Sequence, residues 1–408
     1  MGQKSTVLLV ATMDTKADEA FYIESVLNKE GVSVFIMDPG IRGNPPYKVS
    51  ISRDEVARAA GVSLEDVRSV GHEGKALSLM TIGAVKCAHD LYDRGNIRGI
   101  IGLGGTMGTT VGTAVMRSFE IGIPKVMIST MASSNTRNFV GTKDILMLHS
   151  VCDISGVNRI TKRILHNGAL ALAGMVKGVT IEENLGKPVV ALTSLGTTDA
   201  CAGAVRKALE EDGYEVLTFH TNGTGGEAME EIITRMDVSA LVDISLHEIS
   251  AHMFGSDFDA GPDRGKAALK KGVPTVIAPG NIEFLVVGPV HEAEKRFPGK
   301  KLHSHNEAIT AVRVDREQLV AIARTLSEIW NEAKGPISIF VPMKGFSSHD
   351  SKEGHLHDPE APPYFADALK KSLRKDIPLH LLPYHINDIE FAQAMVKGLK
   401  AIVGKSAN

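Results

Sequence analysis

Two groups of residues in this 408-residue sequence have the types and spacing that chemistry needs. In the first half, an apolar run from Ile97 to Leu103 empties into Gly104-Gly105-Thr106-Met107-Gly108-Thr109-Thr110, with a helix-compatible segment, Val111 to Phe119, behind it. Glycines let a backbone turn tightly and approach a ligand, and the free N–H groups at a helix start point at negative charge. Gly104, Gly105, Thr106, Gly108 and Thr109 are therefore candidates to cradle a phosphate or a carboxylate, the plain alternative being a tight turn with no ligand. The stretch is neither a Walker A loop, since no Gly-Lys-Ser/Thr ends it, nor the GxGxxG fingerprint. Two other small polar loops belong with it. One holds Asp14, Thr15 and Lys16, and the other runs from Ser129 and Thr130 to Asn135. Asp38, before Pro39-Gly40, stands where a nucleotide ribose is often held, or simply forms a turn. Either Asp38 or Asp14 suits a ribose or a magnesium shell.

The second half offers ionisable groups instead. His247-Glu248 and His252 invite comparison with HExxH, but five residues rather than four separate the imidazoles, so they do not face one metal. Arg264 is a candidate fork for a substrate carboxylate, with Asn281 beside a strand end as a second substrate contact. Polar clusters follow at His303, His305 and Asn306, at Pro342 to Asp350 with His355, His357 and Asp358, and at His385 to Asp388. His349, Asp350, His385 and Asp388 are the candidates for general acid/base or metal work, against the alternative of a solvated surface with helix caps.

These residues need elements to position them. Thr6 to Ala11 reads as a strand, Ala17 to Glu30 as an amphipathic helix closed by Gly31, and Val32 to Met37 as the next strand. Ile41 to Gly74 is an excursion, a lid or a dimer contact, with two short charged helical segments. A helix from about Lys75 to Arg94 precedes the glycine stretch, and Lys125 to Ile128 is another buried strand. Ligands of open parallel sheets bind at the carboxyl ends of the strands, so the polar loops should meet around one site. At an offset of 182, Val7 to Val10 falls on Val189 to Leu192 and Gly31 on Gly213; at a shorter one, Ile123 to Val126 falls on Val273 to Val276. The expectation is an α/β protein of two Rossmann-like (flavodoxin-like) domains with mostly parallel sheets, related by internal duplication, with a ligand cleft between them. Residues 1–180 form the nucleotide-binding half, 187–408 the half with His/Asp-rich strand-end loops, and Lys177 to Lys187 the linker.

Composition bounds the function. A net charge of −3, no block of like charges and only 5% aromatic residues give no reason to expect a nucleic-acid partner. Three scattered cysteines, Cys87, Cys152 and Cys201, without CxxC spacing argue against a disulfide framework or structural zinc and for a reducing compartment. No run reaches the ~18 apolar residues of a membrane helix and no signal segment opens the chain, so a cytoplasmic location is expected.

Taken together, Thr12 to Lys16, Gly102 to Thr109, Pro124 to Thr130, Ala260 to Arg264, Pro342 to Ser347 and His385 to Asp388 resemble the UPF0261 family, the Tm-1-like ATP-binding proteins. The resemblance covers nearly the whole chain. It implies ATP as ligand of the first domain and self-association into a homodimer or higher homo-oligomer. Plant members carry this module at the N-terminus of a viral-resistance protein; no segment is left here for their appended barrel, so that role is not carried over. The expected function is an ATP-binding enzyme, with Mg2+ as a candidate companion ion, acting on a small acidic metabolite such as a sugar acid or keto acid. The alternatives are a binding or regulatory module that catalyses nothing, and a cleft that handles its substrate without nucleotide.

Overall fold

The first sheet consists of β1 (Thr6–Val10), β2 (Ser33–Met37), β3 (Ile100–Gly104), β4 (Lys125–Ser129) and β5 (Leu146–His149), all parallel, in the order β2-β1-β3-β4-β5. Its strands are apolar runs because both faces are covered: Val7, Leu9, Ile101 and Ile128 pack to one side, and Leu8, Val10, Ile100 and Met127 to the other. The covering helices are α1 (Ala17–Lys29), α2 (Arg53–Ala59), α3 (Leu64–Ser69), α4 (Glu73–Asp93), α5 (Thr106–Arg117), α6 (Arg137–Val140) and α7 (Thr161–Lys177). This computed structural model describes residues 5–178 and 186–406, and the chain divides into two compact units, Met1–Glu182 and Glu183–Asn408. The linker expected at Lys177 to Lys187 falls largely outside the described residues.

The second unit holds a six-stranded parallel sheet of β6 (Val189–Ser194), β7 (Glu215–His220), β8 (Ala240–Ser245), β9 (Thr275–Gly280), β13 (Ile337–Pro342) and β14 (Leu379–Leu382), in the order β14-β13-β9-β8-β6-β7. Between β9 and β13 lies a small antiparallel sheet of β10 (Phe284–Val287), β11 (Leu302–Asn306) and β12 (Ile309–Arg313). The helices are α8 (Asp199–Glu211), α9 (Thr224–Arg235), α10 (His247–Phe254), α11 (Ala267–Lys271), α12 (Val290–Arg296), α13 (Arg316–Asn331), α14 (Ala361–Ser372) and α15 (Ile389–Ser406).

The two units open on the same run of elements. Strand β1, helix α1 and strand β2 recur as β6, α8 and β7 at the same offset of 182, Ala17 matching Asp199 and Ser33 matching Glu215. From there the copies diverge, and the second sheet has one strand more. The first places α2, α3 and the start of α4 between β2 and β3, whereas the second runs from β7 to β8 through α9 alone. The second in turn carries the β10–β12 sheet, with α12, after β9. Both short helices of the first insertion open on reciprocal capping boxes, Ser52 with Glu55 and Ser63 with Asp66, which explains how such brief segments hold helical form.

Candidate functional site

In a sheet of order 2-1-3-4-5 the chain leaves β1 and β3 toward opposite faces, and a crevice opens between their carboxyl ends. A cavity of about 860 Å³ lies there in the first unit. Thr12, Asp14, Thr15 and Lys16 after β1 line one side, and Gly104, Gly105, Thr106, Met107 and Gly108 after β3 line another. The remaining wall is the insertion, from Pro39 to Asn44 and from Val67 to Leu77. The excursion therefore covers the crevice of its own unit.

Helix α5 starts at Thr106, five residues earlier than the sequence suggests, so most of the glycine stretch is its first turns. Gly104 (φ 158°) makes the turn. Gly108 and Gly112 let α5 lie against β3 and β4: a Cβ on Gly108 would stand 3.0 Å from the Leu103 carbonyl oxygen, and one on Gly112 3.0 Å from the Met127 sulfur. No side chain caps α5. The N–H groups of Thr106, Met107 and Gly108 are thus first-turn donors beside the cavity, at the positive end of the helix. Of the threonine hydroxyls, Thr110 donates back to the Thr106 carbonyl (2.9 Å), while Thr109 pairs with Ser129 (2.6 Å) in the buried seam between α5 and β4. Ser129 also accepts from the Met131 N–H. Thr109 and Ser129 consequently build the turn rather than face a ligand. Thr106 is exposed, and Thr130 stands near Gly105, where a Cβ would come 3.8 Å from its hydroxyl.

Asp38 differs from expectation in the same way. It is buried, and Arg53 binds it through Nε (2.9 Å) and Nη2 (2.7 Å) while the N–H groups of Met13 and Gly40 donate to its other oxygen. Its lone pairs are spent fastening the insertion to the end of β2, so it is not offered to a ribose. Arg53 and Arg68 then hold the cavity rim through the carbonyls of residues 41 to 43. The groups presented to the cavity are Asp14 and Thr15, both exposed, and Lys16, whose ammonium donates to the Ile154 carbonyl (2.5 Å). Arg42 lines it too, paired with Glu73 at 2.7 Å.

In the second unit the matching strand ends are tied together by their own side chains. Arg264 has no exposed side-chain surface. It binds Asp243 through both Nη groups (2.7 and 2.8 Å), Glu248 through Nε (2.7 Å) and the Ser245 carbonyl (3.0 Å). Every direction of its fork is taken, so it is an internal strut and not a substrate contact. Burial works to lower its pKa, but Asp243, Glu248 and Glu230 hold it well above its ordinary value. Glu248 also accepts from the N–H groups of Gly223 and Gly226, filling the start of α9 with the protein's own carboxylate. Asn281, at φ 62° and without exposed surface, accepts from Thr197 (2.6 Å) and donates to Ser245 (2.8 Å). It too is framework.

His247 is buried beside them, with Nε2 against the Thr221 carbonyl. Burial pushes its imidazole down to about 4, against that hydrogen bond, with Arg264 adding to the depression. The unfolded chain takes up this proton near pH 6.5 and the folded one only near 4. The stabilisation is therefore complete above about pH 6.5 and is lost as pH falls through that window. In urea denaturation the advantage of the wild type over His247→Gln should shrink by about 2 kcal/mol between about pH 7.5 and pH 5. A constant advantage would contradict this.

Three of the four catalytic candidates, His349, Asp350 and His385, meet at the turn after β13, where the Ser347 carbonyl faces both the Asp350 N–H and the His385 ring, but their roles differ. Asp350 is buried, accepting from Arg313 (3.1 Å) and from the N–H groups of Phe346 and Asp358. Burial, opposed by Arg313, raises its pKa, and burial together with the Asp350 charge pushes neighbouring Glu283 up to about 7. Glu283 is bonded to Ser347, and none of its signals was visible in the sequence. The His385 Nε2 faces the Ser347 carbonyl (2.9 Å), its Nδ1 accepts from the Asn387 N–H, and Asp388 caps this loop through the His385 N–H (2.7 Å). Both of these residues position the β14–α15 connection. His349 is different. It is half-buried, packed on Phe284 (ring centroids 5.4 Å) and His303 (4.7 Å), with His355 stacked on His303 at 4.5 Å. Burial and the neighbouring His303, His305 and His355 push its imidazole down to about 4.

A chain of two doubly wound α/β units, the first with an open strand-end crevice, is what fold and geometry define. It belongs to the UPF0261 family: residues 5–180 match the model described as "Uncharacterised protein family (UPF0261) N-terminal domain" and residues 187–403 its C-terminal counterpart. A UPF0261 protein of Clostridium tetani is 37% identical over 394 residues, 96% of this chain and 98% of that one. The ToMV resistance protein Tm-1(GCR237) of Solanum lycopersicum is 32% identical over 427 aligned positions, covering 98% of this chain and 56% of that protein. Among solved structures, an S. aureus MnaA–UDP complex aligns over 92% of this chain and 99% of its own at 10% identity and a TM-score of 0.22, too low to bear on function. No helix among the described residues is long and apolar enough to cross a membrane.

Proposed function

We propose that the first unit binds an adenine nucleotide, ATP, in the crevice between β1 and β3. The observation that carries this is the coincidence of an uncapped helix start, that of α5, with a cavity of about 860 Å³ at the switch point of the sheet. That volume is within the roughly 300–1,000 Å³ of small-molecule sites. The N–H groups of Thr106, Met107 and Gly108 would receive phosphate oxygens, with Gly105 giving them room, the Lys16 ammonium adding a donor, and the Thr106 hydroxyl turning to the ligand from its weak contact with the Met131 sulfur (3.3 Å). Asp14, exposed at the rim, suits a magnesium shell, and the apolar stretch of Val67, Ala76 and Leu77 suits the base. Calorimetric titration of the full chain should give one site, with affinity falling from ATP to ADP to AMP as phosphates are removed. Equal affinity for all three, or no heat with any, would overturn the reading.

A second reading, an enzyme acting on a small sugar acid or keto acid, is favoured by the solvent-facing imidazoles around His349 in the second unit. Turnover of such acids with and without ATP separates it from a module that binds nucleotide and catalyses nothing.

A further inference from the structure

The insertion in the second unit brings together imidazoles that lie far apart in the chain. His303 and His305 stand two residues apart on β11. The ladder with β12 slips between Ser304 and Asn306, leaving His305 without a partner across it. Such a bulge re-aims a side chain. His349 reaches the same place from the short turn after β13, and its backbone is fixed there: its N–H donates to the Ser347 hydroxyl (3.1 Å) and its carbonyl accepts from Leu356 (2.9 Å). One ring nitrogen from each of the three histidines lies within 4.8 Å of the other two.

We propose that His303, His305 and His349 form a binding site for a divalent transition ion of the zinc class, with a fourth coordination position open to solvent. Bonds of about 2.05 Å at tetrahedral angles put ligand nitrogens about 3.3 Å apart. The rings therefore have to close by at most about 1.5 Å, which χ rotations of His305, exposed, and His303, half-buried, supply. Phe284 and His355 flank the group and limit the directions from which it can be approached. A set made only of imidazoles, without a carboxylate, suits zinc, cobalt, nickel or copper and not magnesium or calcium. Three neutral ligands leave the ion its full positive charge, so the open position takes an anionic oxygen, that of a hydroxide or of a small carboxylate. The site is independent of the nucleotide crevice and would stand if that reading fell.

The test uses untagged, chelator-stripped full-length protein titrated with Zn2+ by calorimetry, and with Co2+ followed by its visible absorption. One equivalent should bind, and Co2+ should show the intense bands of a tetrahedral site. His349→Ala and His305→Ala should each weaken Zn2+ binding by about 100-fold or more. His380→Asn, outside the cluster, should leave it unchanged. His305 is exposed, so its replacement keeps the fold even if that of His349 does not, and circular dichroism checks both. Failure of the wild type to bind either ion at micromolar concentration, or wild-type affinity in His305→Ala, would overturn the assignment.

Discussion

Replacing Arg264 with methionine is expected to remove about 3–5 kcal/mol from the stability of the protein, read as a lower midpoint in urea. The arginine carries no exposed side-chain surface and is the common cation of Asp243, Glu248 and Glu230, at 2.7, 2.7 and 3.6 Å. Methionine fills similar volume but strands these carboxylates. Glu248 and Glu230, whose pKa values burial already raises, would have to take up protons or water. With total stabilities of about 5–15 kcal/mol, the loss removes a large part of the whole. Arg264→Lys should recover only part of it, because an ammonium cannot bridge both oxygens of Asp243 while reaching Glu248. A methionine variant within about 1 kcal/mol of wild type would show that the network contributes little.

The second large effect concerns Gly105. Its backbone, at φ −78° and ψ −157°, is open to any residue, and a Cβ there meets only the Thr130 hydroxyl, at 3.8 Å. Gly105→Val should therefore fold with a stability within about 1 kcal/mol of wild type. Its two methyl groups would stand at the mouth of the first turn of α5 and keep phosphate oxygens from the N–H groups. A loss of ATP affinity of about 100-fold or more, near 2.7 kcal/mol, is expected. Gly104 offers no such clean variant. It has φ 158°, and a Cβ would lie 2.9 Å from the Gly108 Cα, so a substitution there disturbs the turn itself. Unchanged ATP affinity in a folded Gly105→Val would count against the crevice.

Sequence carried the parts of this molecule that local pattern decides. Buried parallel strands show as apolar runs, and the repeat from Val7 to Gly31 at an offset of 182 returned as the same strand, helix and strand. The start of α5 was less legible. Threonine and glycine are poor helix formers, and the close packing of Gly108 and Gly112 against β3 and β4, which favours the helix, is a tertiary feature. Charged side chains were the least legible of all. Nothing local says that Asp38 meets Arg53, or that Arg264 meets Asp243 and Glu248, because burial and pairing are set by tertiary approach. The spacing of His303 and His305 did carry a signal. The two histidines stand two residues apart on one strand, but their third partner, His349, becomes visible only when the insertion folds over.

Each unit carries an insertion that walls a candidate site: a crevice for a polyanion in the first, an imidazole cluster in the second. The claim on which the functional account turns is that α5 receives phosphate. A crystal structure of the full chain with a non-hydrolysable ATP analogue tests it most directly. Phosphate oxygens are expected within hydrogen-bond distance of the Thr106, Met107 and Gly108 N–H groups, with the base under the wall formed by residues 67 to 77. An analogue bound elsewhere, with those amides facing only water, would contradict it.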